Sequence, residues 1–127
     1  MKNSKYNFRN LEVWQMGMDL VNSIYTLSRK FPADEKFGLT SQLRRAATSV
    51  PLNVAEGSIR YSKPDFAHFV RFSLGSLVEV ITCLEIAEQQ NYLSKTDTEK
   101  VGQLIEDLYF KLLALDKSQR IPSRSTS

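Results

Sequence analysis

The side chains able to do chemistry are few in this chain, and each lacks the company that chemistry needs. Asp65 and His68 stand three residues apart, a spacing that places two ligands on one helical face as in di-iron bundles. Such a centre requires a second acid-x-x-histidine pair, and His68 is the only histidine. The single cysteine, Cys83, lies in the apolar-rich run 77–84, where a thiol without a partner behaves as a small hydrophobe. No Gly-x-Ser-x-Gly turn, glycine-rich phosphate loop or Cys/His pair occurs, so nucleophilic catalysis has nothing to stand on. The expectation is a protein that is not an enzyme and holds no metal or cofactor and no small-molecule substrate.

Two polar constellations remain, both centred on residues 42–71. Gln42, Arg45, Ser49, Asn53, Glu56 and Arg60 recur at steps of three or four and form one stripe of a helix. Gln42, Arg45, Asn53 and Glu56 are the candidate structural or oligomer network, because a guanidinium, an amide and a carboxylate can satisfy one another in a half-buried seam and fix its register. The alternative is a solvated face with ordinary pairs three and four residues apart. Arg44, Arg45, Arg60, Lys63 and Arg71 are the candidate nucleic-acid contacts, since phosphate binding needs only positive charge at suitable spacing. Phe69 and Phe72 beside them read as core rather than as base-stacking platforms.

The elements that must carry these residues are helices. Residues 11–29 show two apolar faces. Leu11, Trp14, Met18, Val21 and Tyr25 form the one expected to pack inward; Val13, Leu20 and Leu27 form a second, assigned to contact between copies. Phe31-Pro32 breaks this helix. A second helix runs from residue 35 or 36 to 60 with Leu39, Leu43, Ala47, Val50 and Val54 inward and Leu52 and Ile59 outward. Apolar register is kept on both sides of Pro51, which predicts one helix kinked there rather than two. The third helix, about 64–90, begins behind Ser62 or Lys63 with Pro64 in its first turn. The fourth begins at a capping-box pattern, Thr96 to Glu99, with Val101, Leu104, Ile105, Leu108, Leu112 and Leu115 on its inward side. With no two-residue alternation, the fold class is all-α, an antiparallel up-down-up-down four-helix bundle over residues 1–117. Residues 118–127, basic and serine-rich, read as a disordered tail.

Charge and composition bound the partners. A chain of 127 residues with 42% hydrophobic and 24% charged residues supports one ordinary core without staples. Residues 1–72 carry 11 basic and 6 acidic groups, and residues 73–127 carry 6 and 8, so the modest positive balance sits in the first half. No segment is apolar enough to span a bilayer, and the polar start lacks the apolar run of a signal peptide; the cytoplasm is the expected compartment.

Several stretches together resemble a known family: Phe8-Arg9-Asn10-Leu11 with Val13-Trp14-Gln15, Phe31-Pro32 with Phe37-Gly38-Leu39, residues 42–47 running on to Asn53-Val54-Ala55-Glu56-Gly57, and Gly75-Ser76-Leu77 with Glu79. They are similar to the four-helix bundle proteins also called the 23S rRNA-intervening-sequence or S23 family, over about residues 8–116. The resemblance implies a small helical bundle assembling as a homopentamer, with no catalytic activity or cofactor. Some members are encoded within intervening sequences of large-subunit ribosomal RNA, which implies an RNA connection. The accessory protein of diversity-generating retroelements is similar in architecture alone. The expected function is therefore a homo-oligomeric scaffold whose partners are copies of itself and RNA or a ribonucleoprotein; the alternative is a protein-interaction adaptor with no nucleic-acid role.

Overall fold

The computed structural model describes residues 5–120. Short 3-10 turns at Asn7–Asn10 and Ala33–Glu35 precede the first two of four helices: α1 (Glu12–Ser28), α2 (Leu39–Ser58), α3 (Lys63–Gln89) and α4 (Lys95–Arg120). No strand occurs among the described residues. Each helix packs on the next in sequence, and α1 also meets α4, which closes the four-sided bundle that short connections require.

Local chemistry sets the helix ends. Ser62 accepts a hydrogen bond from the Asp65 backbone N–H at 3.2 Å, with Pro64 in the first turn of α3 as expected. The α3 C-terminus closes through Asn91, whose φ of 63° lets the Tyr92 N–H reach back to Ala87 O at 2.9 Å. The α4 capping box lies two residues before the expected one. Ser94 Oγ accepts from Asp97 N at 3.1 Å and Ser94 N donates to Asp97 Oδ2 at 3.0 Å. Asp97 wins over Glu99 because Lys30 also donates to it, tying this cap to the end of α1 at 2.6 Å. Helix α2 likewise starts at Leu39 rather than at 35 or 36. Glu35 stands outside the helix and caps it, its Oε1 accepting from Leu39 N at 3.0 Å.

The core is filled by Leu20 and Ile24 of α1, Leu43, Val50 and Val54 of α2, Val70, Leu77 and Val80 of α3, and Leu108 and Leu112 of α4, all fully excluded from water. This overturns the assignment of faces on α1. Val13, Leu20 and Leu27, expected between copies, are inside the protomer at 7%, 0% and 8% exposure. The stripe expected inward lies at the edge instead, with Met18 and Tyr25 exposed. Gly17 supplies the reason. It sits in the buried stripe, where a Cβ would come within 3.2 Å of Pro51 Cβ, so only this rotation of α1 brings the two backbones close; the face bearing Trp14 and Met18 would hold them apart.

Helix α2 runs through Pro51 as one element, and Pro51 is buried. The boundary placed at residue 117 is also corrected. Ser118, Gln119 and Arg120 form the last turn of α4, where Arg120 Nε donates to Asp116 Oδ2 at 3.1 Å. The remainder of the predicted tail, residues 121–127, lies outside the described residues.

Candidate functional surfaces

The polar stripe of α2 divides in two. Its middle faces α3: Ser76 donates to Ser49 Oγ at 2.8 Å, and Asn53 Nδ2 donates to Ser49 Oγ at 2.8 Å and to Ser49 O at 2.9 Å. One turn away on α3, the fully buried Ser73 donates to Val50 O at 2.9 Å. These short side chains let α2 and α3 approach closely while satisfying each other, which suits the tight contact at Gly57 below. Gln42, Arg45 and Glu56, by contrast, are exposed in the protomer. No hydrogen bond joins Arg45 to Asn53 or Glu56 among the described residues; Asn53 is committed to Ser49, and Glu56 takes Arg60 at 2.9 Å, four residues on. The expected network is thus replaced within one chain by a serine–asparagine seam that uses Ser73 and Ser76, two residues the sequence pattern did not single out.

The five basic candidates do not form one patch. Arg44 Nε donates to Ser28 Oγ at 2.8 Å and its guanidinium lies 4.6 Å from the Tyr25 ring centre, fastening α2 to α1. Arg71 donates to Asp116 at 2.9 Å, fastening α3 to α4 at the other end of the bundle. Arg60 pairs with Glu56 and covers the half-buried Phe69 ring at 4.4 Å. Arg45 and Lys63 are exposed and carry no ion pair among the described residues. Closeness in sequence failed as a guide here because a turn separates α2 from α3, so residues 44 and 71 end on opposite seams. Phe72 is a further correction: it is half exposed, with the His68 ring edge-on at 4.5 Å, rather than core.

The exposed apolar surface lies elsewhere. Leu52 and Ile59, expected to face outward, do so at 65% and 72% exposure, and Phe37 stands out at 89%. Leu52 belongs to a groove along the α1–α2 seam, floored by Trp14, Met18, Val21 and Pro51 and continued past Thr48 to Tyr25 and Phe37. Every charged residue lining it is a cation: Arg9, Lys36, Arg44 and Arg45. A second apolar groove follows the α3–α4 seam over Ile81, Ile105 and Tyr109, and its charged residues are Glu85, Glu88 and Glu106. The acidic surplus of residues 73–127 was the sequence signal for this second groove; its seam could not be drawn before the helices were paired.

The end of the bundle where α1 meets α2 and α3 meets α4 is held by two carboxylates. The Lys30 ammonium, with help from the Ser94 N–H, holds Asp97 down at about 2. The Leu39 N–H and then the Tyr92 hydroxyl, which donates at 2.9 Å, lower Glu35 below the usual carboxylate value. These four bonds tie the α1–α2 connection to the α3–α4 connection at one end of the bundle. Burial, aided by the charge of Glu79, pushes the Cys83 thiol up, so it stays protonated among apolar neighbours.

The family model for the 23S rRNA-intervening sequence protein matches residues 9–114. The chain belongs to this family. A crystal structure of a protein of unknown function from the S23 ribosomal protein family, from Bacteroides thetaiotaomicron, superposes with a TM-score of 0.76 over 83% of this chain and 98% of that one, at 20% identity. At that identity the likeness is one of fold. No curated protein matches the sequence at a significant level. In this member of the family, the α2 stretch that carries the resemblance is largely a packing motif. Leu43, Ala46, Ala47, Val54 and Gly57 are all buried, and a Cβ on Gly57 would lie 2.7 Å from Phe69 Cβ. In this chain the α2 stretch therefore sets how closely this helix sits against its neighbours.

Proposed function

We propose that this protein works by binding alone, as a self-assembling helical scaffold, with a closed five-fold ring as the form its family resemblance implies. The observation that carries the reading is the apolar surface left outside a completed core. Leu52, Ile59, Phe37 and Phe110 are each more than half exposed, and two apolar grooves run along opposite seams. A protomer whose core is already full gains nothing from these residues unless another chain covers them. Among the described residues no helix is long and apolar enough to cross a membrane; placement in the cytoplasm is part of the same proposal.

Contact with RNA is the second reading, favoured by the unpaired cations Arg45 and Lys63 and by the basic surplus of residues 1–72. Repetition of those cations around a ring multiplies a weak field. Light scattering on the purified chain, read together with the 260/280 absorbance ratio before and after a salt wash, tests both. A mass several times 14.5 kDa is expected; a stable single protomer at high concentration overturns the scaffold. A raised ratio that falls with salt supports RNA, whereas a clean protein spectrum with a specific captured protein favours an adaptor.

A further inference from the structure

We infer that the two grooves are the two halves of one contact: the cation-lined α1–α2 groove of one copy receives the carboxylate-lined α3–α4 groove of the next, head to tail. This rests on the self-assembly reading and adds which surfaces meet and in what sense.

The charge pattern selects the pairing. Lys36, Arg44 and Arg45 line one groove and Glu85, Glu88 and Glu106 the other, with no opposite charge among either set of lining residues. A two-fold contact that pairs either groove with itself brings like charges together across an apolar seam, a juxtaposition that opposes association. Pairing one groove with the other matches the signs. Arg45, Glu85 and Glu106 have no ion-pair partner within the protomer among the described residues, so these charges are free to be neutralised by a neighbour. Arg44 is only partly committed, its bond to Ser28 engaging one edge of the guanidinium.

The heights agree as well. Helix α2 begins, α3 ends and α4 begins at the same end of the bundle. At the ordinary helical rise, Arg45 lies roughly 9 Å below that end, Glu85 roughly 6 Å and Glu106 roughly 16 Å. Two copies standing parallel, side by side, therefore meet cation to carboxylate without sliding along their length. That is the arrangement generated by rotation about an axis parallel to the bundle, and repetition of one such unlike-faced contact builds a ring where the rotation closes and an open array where it does not. The floors match in kind, Met18, Pro51 and Leu52 on one side and Ile81, Ile105 and Tyr109 on the other.

The test is a charge exchange in the full chain, with mass read by size-exclusion chromatography and light scattering and folding read by circular dichroism. One variant carries Lys36→Glu and Arg45→Glu, a second carries Glu85→Lys and Glu106→Lys, and a third carries all four. Each of the first two is expected to raise the dissociation constant about a hundredfold or more and to run as a protomer with an unchanged helical spectrum. The four-fold variant restores complementarity and recovers the parent mass. Parent-like assembly of both two-site variants, or failure of the folded four-fold variant to reassemble, overturns the face assignment while leaving self-assembly standing. A parent chain that is itself a protomer overturns both.

Discussion

Gly57 is where α2 and α3 come closest, and replacing its hydrogen by a methyl group measures that closeness. An ideal Cβ there would lie 2.7 Å from Phe69 Cβ, 2.9 Å from Phe66 Cδ1 and 3.3 Å from Phe66 O. The Phe66 ring can swing aside, but Phe69 Cβ is fixed to the backbone, so α3 itself must shift. Overpacking of this kind costs about 1–3 kcal/mol. Against it stands the gain of about 1 kcal/mol from putting alanine in place of glycine within a helix. Gly57→Ala is therefore expected to destabilise by about 1–2 kcal/mol, since a contact at this distance belongs to the upper part of the overpacking range. Two other glycines calibrate the result. Gly75 has nothing within 4 Å of the added carbon, so Gly75→Ala keeps the propensity gain. Gly17 would place a Cβ 3.2 Å from Pro51 Cβ, a milder crowding, and Gly17→Ala should fall between the two. Urea unfolding followed by circular dichroism, at one protomer concentration for all three, gives the comparison. A ranking in which Gly57→Ala is as stable as Gly75→Ala would refute the proposed α2–α3 approach.

Other outcomes follow from single contacts. Asp97 is held at about 2 against an ordinary 3.8, so its contribution is fully present above pH 3.8 and is lost as pH falls through about 2; Asp97→Asn should remove that acid-limb slope from urea melts taken between those values. Ser73 is fully buried and donates to Val50 O, so Ser73→Ala should cost about 1 kcal/mol in the same melts, with little change in the denaturant slope. Asn91 occupies the left-handed region at φ 63°, where alanine is strained by about 1 kcal/mol and glycine is not. Asn91→Ala should lower the midpoint of unfolding, and Asn91→Gly should hold it or raise it.

Four helices, their approximate bounds and the core stripe of α2 were legible in the sequence because each rests on local rules: apolar residues every three or four positions, Pro32 ending one element, Ser62 and Pro64 opening another. Membership of the family was legible as a resemblance, carried by stretches at residues 8–15, 31–39, 42–57 and 75–79. The candidate site was read less well. Arg44, Arg60 and Arg71 looked like one basic cluster, yet each is drawn to a different partner, Ser28, Glu56 and Asp116, two of them far away in the chain.

Periodicity specifies that a helix has an apolar stripe, and where α1 has two, it cannot specify which one turns inward. That choice was made by packing: the close approach of Gly17 to Pro51 goes with the rotation that buries Val13, Leu20 and Leu27 and leaves Met18 and Tyr25 at the surface. The same division holds for charge. The excess of cations in one half and carboxylates in the other is a property of the sequence alone. Only the pairing of α1 with α2 and of α3 with α4 gathers Arg44 and Arg45 into one groove and Glu85, Glu88 and Glu106 into another, because a groove exists only between two helices.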